Sequence, residues 1–142
     1  MGLVLDASAT LAWLISRVDK AEAQLADEIL RHLETGDAVV PALWFPEVAN
    51  ALLLAERRGG IGNSKSGSFL EMVNTLPIVE DGTRPSTVQG AVLMLARAHR
   101  LTGYDATYLE LLLRTGRTLA TFDRQLAAAA RLAGGRVFGD LV

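Results

Sequence analysis

The 142-residue sequence predicts an α/β fold, with a short, mainly parallel central sheet of about four or five strands flanked by about seven helices. Three observations predict it. Short apolar runs alternate with longer stretches of helical periodicity. The runs are apolar throughout, as in parallel strands covered on both faces. Half of the residues are hydrophobic, which gives a chain of this length a real core.

Each element has its own signal. Leu3-Val4-Leu5 is an apolar run closed by Asp6 and reads as a buried strand. Ser8 can cap a helix through Ala9 to Ile15. Residues 20–35 read as a second helix, with Leu25, Ile29 and Leu33 on one stripe and Gly36 as its stop. Ala38-Val39-Val40 is the second strand, closed by Pro41. Pro46 falls in the first turn of the next helix, where its missing N–H costs nothing. That helix runs through Val48, Leu52 and Ala55 and ends at Arg57-Arg58, cations at the negative end of its dipole. Gly59, Gly60, Gly62, Asn63 and Ser64 form a linker-like stretch too short to separate domains, before a helix through Phe69, Leu70, Met72 and Val73. Leu76 to Val79 is a third strand, directed by Pro77 to an edge or a strand start. Residues 84–101 form the longest helical pattern, with Val88, Val92, Leu95 and His99 on one side. A helix from about Asp105 to Arg114, a strand from Thr118 to Thr121 and a helix from Asp123 to Ala133 follow, and Val137-Phe138 offers a terminal strand. With no repeat or low-complexity segment, residues 1–142 read as one domain.

Composition excludes several classes. The absence of cysteine rules out a disulfide framework, a thiolate zinc site and a cysteine nucleophile, and makes a cytoplasmic location the default. No apolar run approaches the roughly 18–20 residues of a membrane span. The N-terminus lacks the basic segment of a signal peptide. The net charge of −2 argues against broad coating of nucleic acid, yet it conceals an asymmetry. Residues 1–83 carry six basic and twelve acidic side chains, whereas residues 84–136 carry eight arginines against Asp105, Glu110 and Asp123. Such a split suggests a charged partner. The arginines at 97, 100, 114, 117 and 124 are candidates for gripping phosphate.

The chemistry points to carboxylates. Asp6 ends the first strand and Asp123 lies just past the fourth, at the edge where open α/β sheets gather ligands. Glu47 and Asp105 lie near predicted helix N-termini that point toward the same edge. A hydroxyl stands two residues from each strand-end acid, Ser8 after Asp6 and Thr121 before Asp123, placed to orient it. Each acid alone could be a turn or first-turn residue that favours a helix dipole. Four together repel unless a cation neutralises them. Oxygen ligands alone, without Cys or a nearby His, suit Mg²⁺ or Mn²⁺ and metal-assisted phosphodiester cleavage.

Asp6-Ala7-Ser8, Glu47-Val48-Ala49-Asn50-Ala51-Leu52, Tyr104-Asp105-Ala106-Thr107-Tyr108-Leu109 and Thr121-Phe122-Asp123 together resemble the PIN-domain ribonucleases, and among them the VapC toxins of VapBC toxin–antitoxin pairs. The resemblance runs the length of the chain, and it implies a PIN-like three-layer fold. It implies that Asp6, Glu47, Asp105 and Asp123 are the catalytic, metal-binding acids, supported by Ser8, Asn50 and Thr121. It further implies Mg²⁺ or Mn²⁺ as cofactor, RNA as substrate, a VapB-like antitoxin and a homodimer as assemblies, and no membrane. Asp19-Lys20-Ala21-Glu22 matches no part of the pattern.

Other readings fit less well. A haloacid-dehalogenase phosphatase needs a second Asp where Ser8 stands. A receiver domain needs an acidic pair after the first strand and a lysine near the last, and only Lys20 and Lys65 exist. A catalytically weak RNA- or protein-binding module of the same fold is the alternative that the four acids disfavour. His32 reads as a surface helix residue and His99 as structural, while Trp13, Trp44 and Phe45 read as core or partner contacts.

Overall fold

The computed structural model describes residues 2–140. In chain order these form β1 (Leu3–Leu5), α1 (Ala7–Leu11), α2 (Lys20–His32), β2 (Ala38–Val40), α3 (Trp44–Arg57), α4 (Asn63–Val73), β3 (Ile78–Glu80), α5 (Pro85–His99), α6 (Gly103–Thr115), β4 (Thr118–Ala120), α7 (Arg124–Leu132) and β5 (Arg136–Val137). The strands make one parallel sheet in the order β3-β2-β1-β4-β5. The chain winds outward from β1 through β2 to β3, then returns to lay β4 on the other side of β1. The crevice at the C-terminal ends of β1 and β4 is therefore the switch point where such sheets bind ligands.

The strands are short, apolar and central, so both of their faces are covered. Leu3, Val4, Leu5, Leu119 and Ala120 are fully buried, and each leucine so placed is worth about 1.5–3 kcal/mol. β3 is the edge strand that Pro77 predicted, and the Pro77 carbonyl still accepts from Ala38 N at 3.0 Å. Ile29, Val48, Leu109, Leu112 and Leu126 extend the core into the helices. α1 packs on α3, α5 on α6, and α6 on β1 and α7.

Helix ends follow the side chains that can cap them. Asp19, Thr102 and Asp123 accept from the backbone N–H groups of Glu22, Asp105 and Leu126. The first helix departs from expectation. Its cap is Asp6 rather than Ser8, because the Asp6 carboxylate takes the Ala9 N–H at 2.9 Å while the Ser8 hydroxyl turns back to Asp6. The helix also closes at Leu11 rather than Ile15, and Trp13 Nε1 then donates to the Ala26 carbonyl, bracing the descending chain on α2. His32 is half-buried with its ring edge-on to Phe138, 5.6 Å between centroids, and is not a surface residue. Trp44 is core, Trp13 is half-buried and Phe45 is exposed.

Arg100 ends α5 in the left-handed region, at φ 55° and ψ 43°, where Gly116 serves the same purpose for α6. A side chain at such a position costs about 1 kcal/mol. Arg100→Gly is expected to stabilise the fold by about 0.5–1 kcal/mol, read as a rise of a few degrees in melting temperature. An unchanged or lower melting temperature would contradict that assignment of strain.

Candidate active site

The switch point carries Asp6 and Asp123 side by side. Asp6 follows β1, and its backbone N–H donates to the Ala120 carbonyl at 3.2 Å, so strand pairing itself aligns it with Thr121. Asp6 is 5% exposed. Its Oδ1 accepts from Ser8 Oγ at 2.7 Å and from Ala9 N at 2.9 Å, and its Oδ2 accepts from Thr121 Oγ1. Thr121 Oγ1 in turn accepts from Asp123 N at 2.9 Å, and Ser8 Oγ accepts from Phe122 N at 2.9 Å. Ser8 orients Asp6 as expected, whereas the Thr121 hydroxyl, expected to orient Asp123, donates to Asp6 instead and takes only the Asp123 backbone N–H; together the two hydroxyls lock the ends of β1 and β4 into one lattice. Asp123 caps α7 through Oδ1, 3.0 Å from Leu126 N.

Glu47 and Asp105 come from helix starts, and Asp105 feels the charges of both Asp123 and Glu47. Glu47 lies in the first turn of α3 and Asp105 in the first turn of α6. The start of α3 is tied to Asp6 by a relay in which Trp44 Nε1 donates to Thr10 Oγ1 at 3.0 Å and Thr10 Oγ1 donates to the Asp6 carbonyl at 2.8 Å. Tyr108, one turn beyond Asp105 on α6, is 1% exposed and donates its hydroxyl to Glu47 Oε1 at 2.5 Å. Tyr108 joins α6 to α3 across 61 residues of chain. In the sequence Tyr108 is visible only as part of a motif, although its spacing of three from Asp105 puts both on one helix face. Asn50 is exposed one turn after Glu47, with no hydrogen bond to the acids.

The acids act on one another. Burial, opposed by the Thr121, Ser8 and Ala9 hydrogen bonds and reinforced by the charge of Asp123, pushes the Asp6 carboxyl from 3.8 up to about 6. Asp105 is raised by burial first, then by Asp123 and Glu47. The Tyr108 phenol is raised by burial, by its bond to Glu47, and by the charges of Glu47, Asp6 and Asp105, so it stays a proton donor. Every charge acting on Asp105 is negative. Among the described residues no three acids close tightly enough to cage an ion by themselves. Such an all-oxygen set nonetheless fits Mg²⁺ or Mn²⁺, since Mg²⁺ keeps several waters and takes only one or two carboxylates alongside substrate phosphate.

Two clefts open beside the acids. One of about 690 Å³ is bordered by Ser8, Ile15, Arg17, Val18 and Arg124, the other of about 750 Å³ by Leu25, Thr121, Phe122, Asp123, Arg124 and Phe138. Of the four acids only Asp123 lines a cleft, the larger of these two, while Ser8 borders the other; a third, apolar cleft of about 560 Å³ lies apart, between α5 and α6. The arginines predicted to meet phosphate divide accordingly. Arg114 is bound to Asp81, Glu110 and Thr83, and Arg117 to Asp37 and the Leu3 carbonyl, so both serve the fold. Arg124 is exposed at the mouth of both clefts, and Arg97 and Arg100 are exposed at the end of α5. The stretch 19–22 also finds a place. Glu22 pairs with Arg17, whose guanidinium lies 4.7 Å over the Phe122 ring, beside Asp123.

The family model of the PIN domain matches residues 3–132. The chain belongs to the PIN-domain family, and its relatives there are VapC ribonucleases. It is 32% identical over 127 residues to ribonuclease VapC3 of Pyrobaculum aerophilum, covering 89% of this chain and 93% of that one. It is 34% identical over 126 residues to ribonucleases VapC45 and VapC49 of Mycobacterium tuberculosis, covering 73% of this chain and 83% of theirs. The crystal structure of PAE2754 from Pyrobaculum aerophilum superposes with a TM-score of 0.66 at 27% identity, over 91% of this chain and 87% of that one. FitAcB from Neisseria gonorrhoeae shares the fold, with a TM-score of 0.63 at 17% identity over 98% and 97%.

Because folding raises the Asp6 carboxyl, the folded chain holds that proton more tightly than the unfolded chain. The stability this contributes is present below 3.8 and lost as pH rises through about 6, a difference of about 3 kcal/mol. Asp105 shifts the same way. Asp37, Asp81 and Asp140 are lowered by their arginines and act in the opposite sense, at more acid pH. In chelating buffer the melting temperature is therefore expected to fall between pH 4 and pH 6. Asp6→Asn should flatten the fall and melt about 1–2 kcal/mol more stably than the parent at pH 7. A parent that does not lose stability across that window would refute the assignment.

Proposed function

We propose that this chain is a Mg²⁺- or Mn²⁺-dependent endoribonuclease, the toxin of a toxin–antitoxin pair, inhibited by a cognate VapB-like antitoxin and acting in the cytoplasm. The observation that carries the reading is the convergence of Asp6, Glu47, Asp105 and Asp123, from four separate elements, on one electrostatically coupled crevice. Relatives named as VapC ribonucleases support the substrate class.

The four acids would hold the cation. When bound, it supplies activation of water and neutralisation of phosphate charge. Ser8 and Thr121 fix both oxygens of Asp6, so that acid is oriented before substrate arrives. Glu47 and Asp105 add negative charge beside Asp123, which favours a divalent ion there over a lone RNA phosphate. Arg124 stands where the RNA backbone would leave the crevice and can take a neighbouring phosphate.

Two partners follow from the surface. The cleft beside Ser8 offers Ile15 and Val18, 45% and 102% exposed, as an apolar seat for an antitoxin segment beside the acids. α5 buries none of its residues although it carries Val88, Val92, Leu93, Met94 and Leu95, which favours a second copy of the chain as its cover. No helix among the described residues is long and apolar enough to cross a membrane.

The test is RNA cleavage by the purified chain, free of antitoxin, with Mg²⁺, with Mn²⁺ and with chelator. Cleavage is expected with either ion and lost with chelator, and Asp105→Asn should lower it by about 100-fold or more. Cleavage that survives both chelation and Asp6→Asn would sink the metal mechanism. Absence of cleavage with retained RNA binding would favour the binding module. Arg124→Ala is expected to weaken RNA binding uniformly across sequences and to reduce the slope of log affinity on log salt by about 1. An unchanged slope would remove Arg124 from the phosphate path.

A further inference from the structure

Resting on the metal-dependent reading above, we propose that Tyr108 is a positioning residue that aims Glu47 at the cation. Three observations converge on it. The tyrosine is 1% exposed, with its ring in the main core cluster, so its hydroxyl cannot wander. That hydroxyl donates to Glu47 Oε1 at 2.5 Å, and among the described residues Oε2 has no donor. Tyr108 also stands three residues after Asp105, so one turn of α6 carries an acid and the group that orients a second acid from α3.

The chemistry explains the residue type. Glu47 is the longest-armed of the four acids and is only half-buried. Asp6 is held by Ser8 and Thr121, and Asp123 by the cap of α7, while Glu47 has this single side-chain donor. A lysine or arginine in its place would also orient the carboxylate, but its charge would cancel the negative field that attracts a divalent ion. A phenol orients without cancelling, as outer-shell donors to metal-ligating carboxylates do. The Tyr108 hydroxyl thereby does for Glu47 what Ser8 and Thr121 do for Asp6.

The experiment is Mn²⁺ binding to the purified full chain, followed by the electron paramagnetic signal of free Mn²⁺. It compares the parent, Tyr108→Phe, Glu47→Gln and the double variant, with melting temperatures measured in chelator alongside. Tyr108→Phe keeps the ring and removes only the donor, and it is expected to weaken Mn²⁺ about 10-fold or more. In the Glu47→Gln background the same change should have no further effect. Parent-like affinity in Tyr108→Phe overturns the proposal, as does an equal loss in both backgrounds, which would mean a general structural role. Should Tyr108→Phe fold poorly, Tyr104→Phe leaves Tyr108 as the lone tyrosine. Its near-ultraviolet difference band on Mg²⁺ addition is expected to persist there and to vanish in Glu47→Gln. A band absent from Tyr104→Phe, or unchanged in Glu47→Gln, overturns the proposal by that route. A parent that binds no Mn²⁺ sensitive to Asp105→Asn overturns the metal-dependent reading itself, and Tyr108 with it. Parent binding together with an indifferent Tyr108→Phe overturns only the role of Tyr108.

Discussion

Like charges gathered in a partly dry crevice repel, and most of what surrounds the crevice in this chain serves to hold them together. Asp6 is the most constrained of them. It sits at the end of a strand with no exposed residue, and burial alone would return its proton. Two hydroxyls and a helix N–H oppose that, and the same two hydroxyls clamp the ends of β1 and β4. The interactions that orient the acid are thus the ones that close the central strand pair. Losing them would cost both the site and the sheet edge. On the proposed metal-dependent reading, the repulsion that remains would favour a bound cation, and a chain so arranged would be less stable without one than its neutral variants.

The topology explains how acids from distant parts of the chain come to act on one another. The strand order reverses between β1 and β4, which opens a crevice that no crossover helix fills. α3 returns from β2 and α6 leads into β4, so each presents its first turn beside that crevice. Trp44 and Tyr108, both large and buried, set the distance. One carries a relay to the Asp6 backbone and the other reaches the Glu47 carboxylate. Arg114, Arg117, Arg131 and Arg136 of the basic half are spent on the frame, and Arg124 is placed at the mouth of the clefts.

The elements and the acids were legible in the sequence because both leave local signals. An apolar triplet before Asp6, a proline in a first turn and a glycine after a helix each act within a few residues. The four acids were legible through strand-end and helix-start positions. What was not legible depends on partners distant in the chain. Arg114 has Glu110 one turn away, but its second carboxylate, Asp81, and the Arg117 partner Asp37 lie 33 and 80 residues away. His32 looked like a surface residue because Phe138, which covers it, is more than a hundred residues on. Ser8 and Asp6 are both good caps, and only the geometry after β1 decides that the carboxylate takes the free N–H. Tyr108 announced its helix face but not its acid.

The proposed function requires the four carboxylates to form one cation site. The most direct measurement is anomalous diffraction at the manganese edge from crystals of the chain grown with Mn²⁺. The predicted result is a peak in the crevice coordinated by carboxylate oxygens drawn from Asp6, Glu47, Asp105 and Asp123. A manganese peak elsewhere on the molecule with the crevice empty, or none at saturating Mn²⁺, would contradict it.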